Sequence, residues 1–123
     1  MRVLVVDGAN VVGSRPDGWW RDRARAATRL HGRLAVADVS YDEVVLVLEG
    51  QARSGVPAGT DGQLRTVHAA RDGDSAVVTA ACDAVGAGAT VVVVTADRAL
   101  TQRAEAAGAQ VMSPSWLYSV LEP

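Results

Sequence analysis

Three apolar runs in this 123-residue chain each lead to an acid. Val3–Val6 runs into Asp7, Val44–Leu48 into Glu49, and Val91–Val94 into Thr95-Ala96-Asp97. A fourth acid, Asp74, opens a helical pattern, with Asp72 two residues earlier as an outer acid. Strands that end this way in a parallel sheet bring their acids to one rim, where α/β folds build their sites. Carboxylates gathered in one cleft repel each other unless protons or a cation intervene. Oxygen-only ligands suit the hard ions Mg²⁺ or Mn²⁺. The chemistry this predicts is attack of water on phosphorus, assisted by a divalent ion.

Other chemistries are poorly served. Cys82, His31 and His68 have no zinc spacing. No G-x-S-x-G occurs to carry a serine triad. All 12 basic residues are arginine, so no lysine is present for a P-loop or a Schiff base. Each acid also has a plainer reading. Asp74 and Asp97 suit helix N-caps, Asp7-Gly8 suits a turn, and Glu49 suits a solvated loop. These readings explain single positions but not acids after three separate buried strands.

The elements that must position the acids alternate along the chain. The three β-branched runs read as parallel strands covered on both faces. Weaker strands are expected at Leu64–Ala69 and Ala109–Met112. Trp20, Ala24, Ala27, Leu30 and Leu34 recur at helical spacing, with Asp17 as the expected N-cap. Val78, Ala81, Cys82 and Val85 make a second apolar stripe, which assigns Cys82 to the core. A third helix is expected from Arg98 to Ala107, stopping at Gly108, and a fourth opens at Ser113-Pro114. Gly50–Gln63 reads as one long irregular loop. The expected architecture is a single domain over residues 1–123. It is a three-layer α/β/α sandwich on a mainly parallel, five-stranded sheet.

Four segments, in order, resemble the NYN domain of the PIN-like nuclease superfamily. Asp7-Gly8-Ala9-Asn10 is similar to its D-G-x-N signature, and Leu48-Glu49-Gly50 stands where it carries an acid after the second strand. Gly73-Asp74-Ser75-Ala76-Val77 resembles its A-D-[DS]-x-I segment, and Thr95-Ala96-Asp97-Arg98 its [ST]-x-D segment. The resemblance implies sheet order 3-2-1-4-5 and a metal-dependent ribonuclease. It casts Asp7, Glu49, Asp74 and Asp97 as ligands of Mg²⁺ or Mn²⁺, with Asn10 steadying Asp7 or a bound water. It also implies a 3′-hydroxyl leaving group, with the phosphate kept on the 5′ end. The chain departs from the pattern at Ala9, where an aromatic is frequent, at Gly73, where alanine is usual, and at Glu49, where many members have aspartate.

Composition bounds the partners. Net charge is −2, with 49% apolar and 21% charged residues, so no strongly basic body advertises a nucleic-acid binder. Seven of the 12 arginines nevertheless fall within residues 1–33, against three acids. Arg21, Arg25 and Arg29 repeat every four residues, as one helical face would. Arg15, Arg53, Arg71 and Arg98, with Arg25, are the candidate substrate contacts. Trp20 is assigned to the core, whereas Trp19 is open to base stacking. His68 reads as a hydrogen-bonded strand residue. The unpaired Cys82 and the lack of a leader-like or membrane-length run suit a cytoplasmic protein. The expected partner is RNA, single-stranded or structured, with no membrane; a homodimer is left open. Two alternatives remain at this point: a metal-dependent nucleotide phosphohydrolase and a non-catalytic RNA-binding domain of the same fold.

Overall fold

A computed structural model describes residues 1–122. Six strands form one sheet: β1 (Arg2–Asp7), β2 (Glu43–Leu48), β3 (Gly59–Asp61), β4 (Leu64–His68), β5 (Thr90–Val94) and β6 (Gln110–Met112). Their order is β3-β4-β2-β1-β5-β6. All neighbours are parallel except β3, which pairs antiparallel with β4. The five parallel strands thus stand in the expected order. The expected count of five is corrected to six by the extra edge strand.

That strand lies inside the segment read as an irregular loop. Residues Gly50–Gly55 form a 3₁₀ turn, and Gly59–Asp61 then make a hairpin with β4. Gly62 has φ +61, the sign required at the first position of a two-residue hairpin loop. β3 is fully exposed and has no apolar residue, so it leaves no hydrophobic pattern to read.

Alternation along the covered strands divides the core in two. Leu4 and Val6, with Leu46, Leu48, Val92 and Val94, face Ala27, Leu30 and Leu34 of α2 (Arg23–Val36) and Leu117 of α5 (Pro114–Leu121). Val3 and Val5, with Val45, Val47, Val91 and Val93, face Val77 and Ala81 of α3 (Gly73–Gly86) and Leu100 and Ala104 of α4 (Arg98–Ala106). Helices therefore cover both faces, as a parallel sheet requires. Among the described residues no helix is long and apolar enough to cross a membrane.

Three local expectations are corrected. Gly18 at φ +85 starts a 3₁₀ turn over Trp19–Arg21, and α2 begins only after Asp22. Asp22, not Asp17, is its N-cap, accepting from the Arg25 amide at 3.0 Å. Trp20 is consequently out of phase with α2 and is 51% exposed instead of buried. Arg21 also lies outside α2, so it does not share one helical face with Arg25 and Arg29. On α3 the buried stripe is Gly73, Val77 and Ala81, spaced by four; Cys82 falls beyond it and is exposed.

Candidate active site

The parallel strands end on one rim, and a short helix not expected from the sequence begins there without a loop. This is α1 (Gly8–Gly13), with Asp7 as its N-cap. A Cβ on Gly8 would stand 2.5 Å from the Val47 carbonyl oxygen and 2.9 Å from Leu48 Cδ2. Glycine at this position lets α1 press directly onto β2 and holds Asp7 at the strand end.

Asp7 is 4% exposed. Its Oδ2 accepts from the Thr95 hydroxyl at 3.0 Å, and its Oδ1 from the Asn10 amide at 3.4 Å. Burial raises its pKa to about 6; the two hydrogen bonds oppose that rise, and the charges of Asp74 and Glu49 add to it. The Thr95 hydroxyl also accepts from the Asp97 amide at 3.1 Å. One buried threonine thus links the Asp7 carboxylate to the backbone of Asp97. The Asn10 side chain acts elsewhere: its Oδ1 accepts from the Ala96 amide at 2.7 Å, fastening α1 to the segment that bears Asp97.

Glu49 Oε2 accepts from the Gly73 amide at 2.9 Å, so this acid sits on the first turn of α3. Asp72 is the N-cap of α3, accepting from the Ser75 amide at 2.7 Å, and these hydrogen bonds hold its pKa below the ordinary value. Asp74 is left free of the cap. Its pKa is raised, first by partial burial and then by the charges of Asp97, Glu49 and Asp72. Asp97 does cap α4, through Oδ1 to the Leu100 amide at 2.9 Å, but that bond uses only one of its oxygens. The charges of Asp74 and Glu49 act on Asp7, and those of Asp97 and Glu49 on Asp74, so the four acids share one anionic rim.

Among the described residues no three acids, histidines or cysteines converge closely enough to enclose a metal ion. The donors are nevertheless all oxygen and negatively charged. That set fits Mg²⁺ held by one or two carboxylates with water completing the shell, the usual way this ion is bound.

The expected cationic contacts are dispersed. Arg15 forms a two-pronged ion pair with Glu122 at 2.8 and 3.0 Å and lies 3.6 Å from the Tyr118 ring centroid. It fastens the chain after α1 to α5. Arg53 donates to the carbonyls of Gly50 and Ala69, tying down the 3₁₀ turn. Arg71, Arg98 and Arg25 are exposed, and none has a salt bridge among the described residues. His68 Nε2 donates to the Val56 carbonyl at 2.7 Å.

Beside Glu49 a groove of about 710 Å³ opens between α1 and the 3₁₀ turn Gly50–Gly55, with Trp19, Arg23 and Arg71 on its walls. Arg23 was not among the expected contacts. Its only sequence signal is its place next to the Trp19-Trp20 pair.

No family model matches this chain, and no curated protein matches it. Among solved structures it is similar to Rae1 (YacP) from Bacillus subtilis, with a TM-score of 0.78 at 20% identity. The alignment covers 99% of this chain and 76% of that one. At that identity the likeness shows a shared α/β fold.

Proposed function

We propose that this chain is a metal-dependent ribonuclease that hydrolyses RNA phosphodiester bonds at the acidic rim. The observation that carries the reading is the buried Asp7 carboxylate, tied through the Thr95 hydroxyl to the Asp97 backbone, with the charges of Asp74 and Glu49 acting on it. Unsatisfied repulsion of this kind is costly, and a divalent ion relieves it. Asp7, Glu49, Asp74 and Asp97 would hold one or two Mg²⁺ or Mn²⁺ ions. Such an ion, when bound, supplies Lewis acidity and lowers the pKa of a coordinated water.

The chain's own groups set the geometry. Thr95 and the Asn10 amide fix the Asp7 carboxylate, and the Gly73 amide fixes Glu49. The Leu100 amide holds one oxygen of Asp97, and the other takes no part in that cap. Water attacks phosphorus in line, the P–O3′ bond breaks, and the products are a 3′-hydroxyl and a 5′-phosphate.

The test is incubation of the pure protein with labelled single-stranded RNA and with nucleoside triphosphates, in Mg²⁺, Mn²⁺ or EDTA. RNA cleavage that needs the metal and is lost in Asp7→Asn is the expected result. Hydrolysis of triphosphates alone points to a nucleotide phosphohydrolase, and RNA binding without cleavage to a non-catalytic domain; either outcome overturns the proposal.

A further inference from the structure

The groove beside Glu49 has a construction that the hydrolysis of a phosphodiester does not require. Its floor is apolar, with Val12, Ala27 and Leu48, while Glu49 belongs both to the groove and to the acidic rim. On one wall the Trp19 indole is held on α1; a Cβ on Gly13 would lie 3.8 Å from its Cζ2. Trp20 meets it edge-on, with centroids 5.9 Å apart at 89°. The Arg23 guanidinium stands 4.8 Å from the Trp19 ring centroid. Gln51, exposed in the 3₁₀ turn that lines the groove, offers both a donor and an acceptor. Arg23 and Arg71 bring positive charge, and neither has a salt bridge among the described residues.

We propose that this groove is a nucleobase subsite, taking one unpaired base of single-stranded RNA whose backbone continues onto the acidic rim. The position of that backbone rests on the ribonuclease reading above; the subsite itself does not. An indole–guanidinium pair is a platform on which any base can stack, because every base has a π face. About 710 Å³ lies within the range of pockets that enclose small ligands. The amide of Gln51 can meet a base edge, while Arg23 and Arg71 match the flanking phosphates in charge. A base can enter only when splayed from its helix, so duplex RNA is excluded.

The experiment measures binding of a short single-stranded RNA to the wild-type protein in EDTA, where no cleavage interferes. The strand is compared with a duplex, with versions carrying one abasic residue at each position in turn, and with adenosine and uridine 5′-monophosphates. At one position, loss of the base should weaken binding by roughly 5- to 100-fold. Trp19→Ala should weaken the intact strand by a similar factor and abolish the abasic penalty, whereas Trp19→Phe should keep most of it. Exposed Arg23→Gln provides a second reading if Trp19→Ala does not fold, and should also shrink the penalty. An abasic penalty that is absent, or unchanged in the variants, overturns the subsite. So does a strand that fails to bind, a duplex that binds as tightly, or a monophosphate that matches the strand. Cleavage by a protein with no abasic penalty removes the subsite alone. A base penalty in a protein that never cleaves removes the ribonuclease reading alone.

Discussion

The Glu49 carboxylate occupies the space that a side chain on Gly73 would fill. It accepts the Gly73 amide at 2.9 Å, and a Cβ there would stand 3.0 Å from both its Cδ and its Oε1. The long acid at position 49 and the missing side chain at position 73 are therefore one arrangement.

Gly73→Ala should displace Glu49 by a few tenths of an ångström. The moving group is the end of a flexible side chain, so stability should change by less than about 1 kcal/mol. Cleavage should fall roughly tenfold, as when a partner that orients a ligand is lost. Adding Glu49→Asp should recover much of the rate. Melting curves and cleavage rates of the single and double variants decide this; additive losses would separate the two residues.

Asp7 makes the metal-free protein sensitive to pH in a defined direction. Its folded pKa is raised from 3.8 to about 6, so between those values the folded state binds more protons than the unfolded chain. Stability from this group therefore falls as pH rises through that window, by up to roughly 3 kcal/mol. Asp72 and Glu122, whose pKa values are lowered, act in the opposite sense and only in more acid solution. In EDTA, Asp7→Asn should melt higher than wild type at pH 7.5, with a smaller gain at pH 4.5. A gain independent of pH would contradict the burial of a charge.

Thr95→Val removes the hydroxyl between Asp7 and Asp97 while keeping its volume. That hydrogen bond holds the Asp7 pKa down, so its loss should move the acid limb of the kcat/KM profile to higher pH. Stability should drop by about 1–3 kcal/mol, because the Asp97 amide and Asp7 lose a buried partner. Thr95→Ser should restore both. A profile that does not move would leave Thr95 a packing residue.

Asp97 combines two roles that different substitutions separate. Asp97→Asn keeps an acceptor for the Leu100 amide, whereas Asp97→Ala loses it and about 1 kcal/mol. Both should lose cleavage. Millimolar Mg²⁺ should raise the melting temperature of wild type more than that of either variant, since a ligand stabilises only a competent site. An Asp97→Asn protein with full activity and full metal response would reduce Asp97 to a cap.

The order of the parallel strands was implied only by the resemblance to a known family. The strands themselves were legible because continuous β-branched runs suit strands covered on both faces and the helices between them supply the crossovers. The acids could be assigned to one rim for the same reason: a residue that follows a parallel strand stands at its carboxyl end. Side-chain partnerships were not legible, because they join residues far apart in the chain. Tertiary packing decided that Asp72 takes the cap and leaves Asp74 free, and that Thr95 meets Asp7 across 88 positions. It gave Arg15 to Glu122, 107 residues away, and placed Arg23 beside Trp19 at the groove. Local pattern records which face is apolar. Which carboxylate or guanidinium stays free depends on the hydrogen-bond partner that another element brings to it.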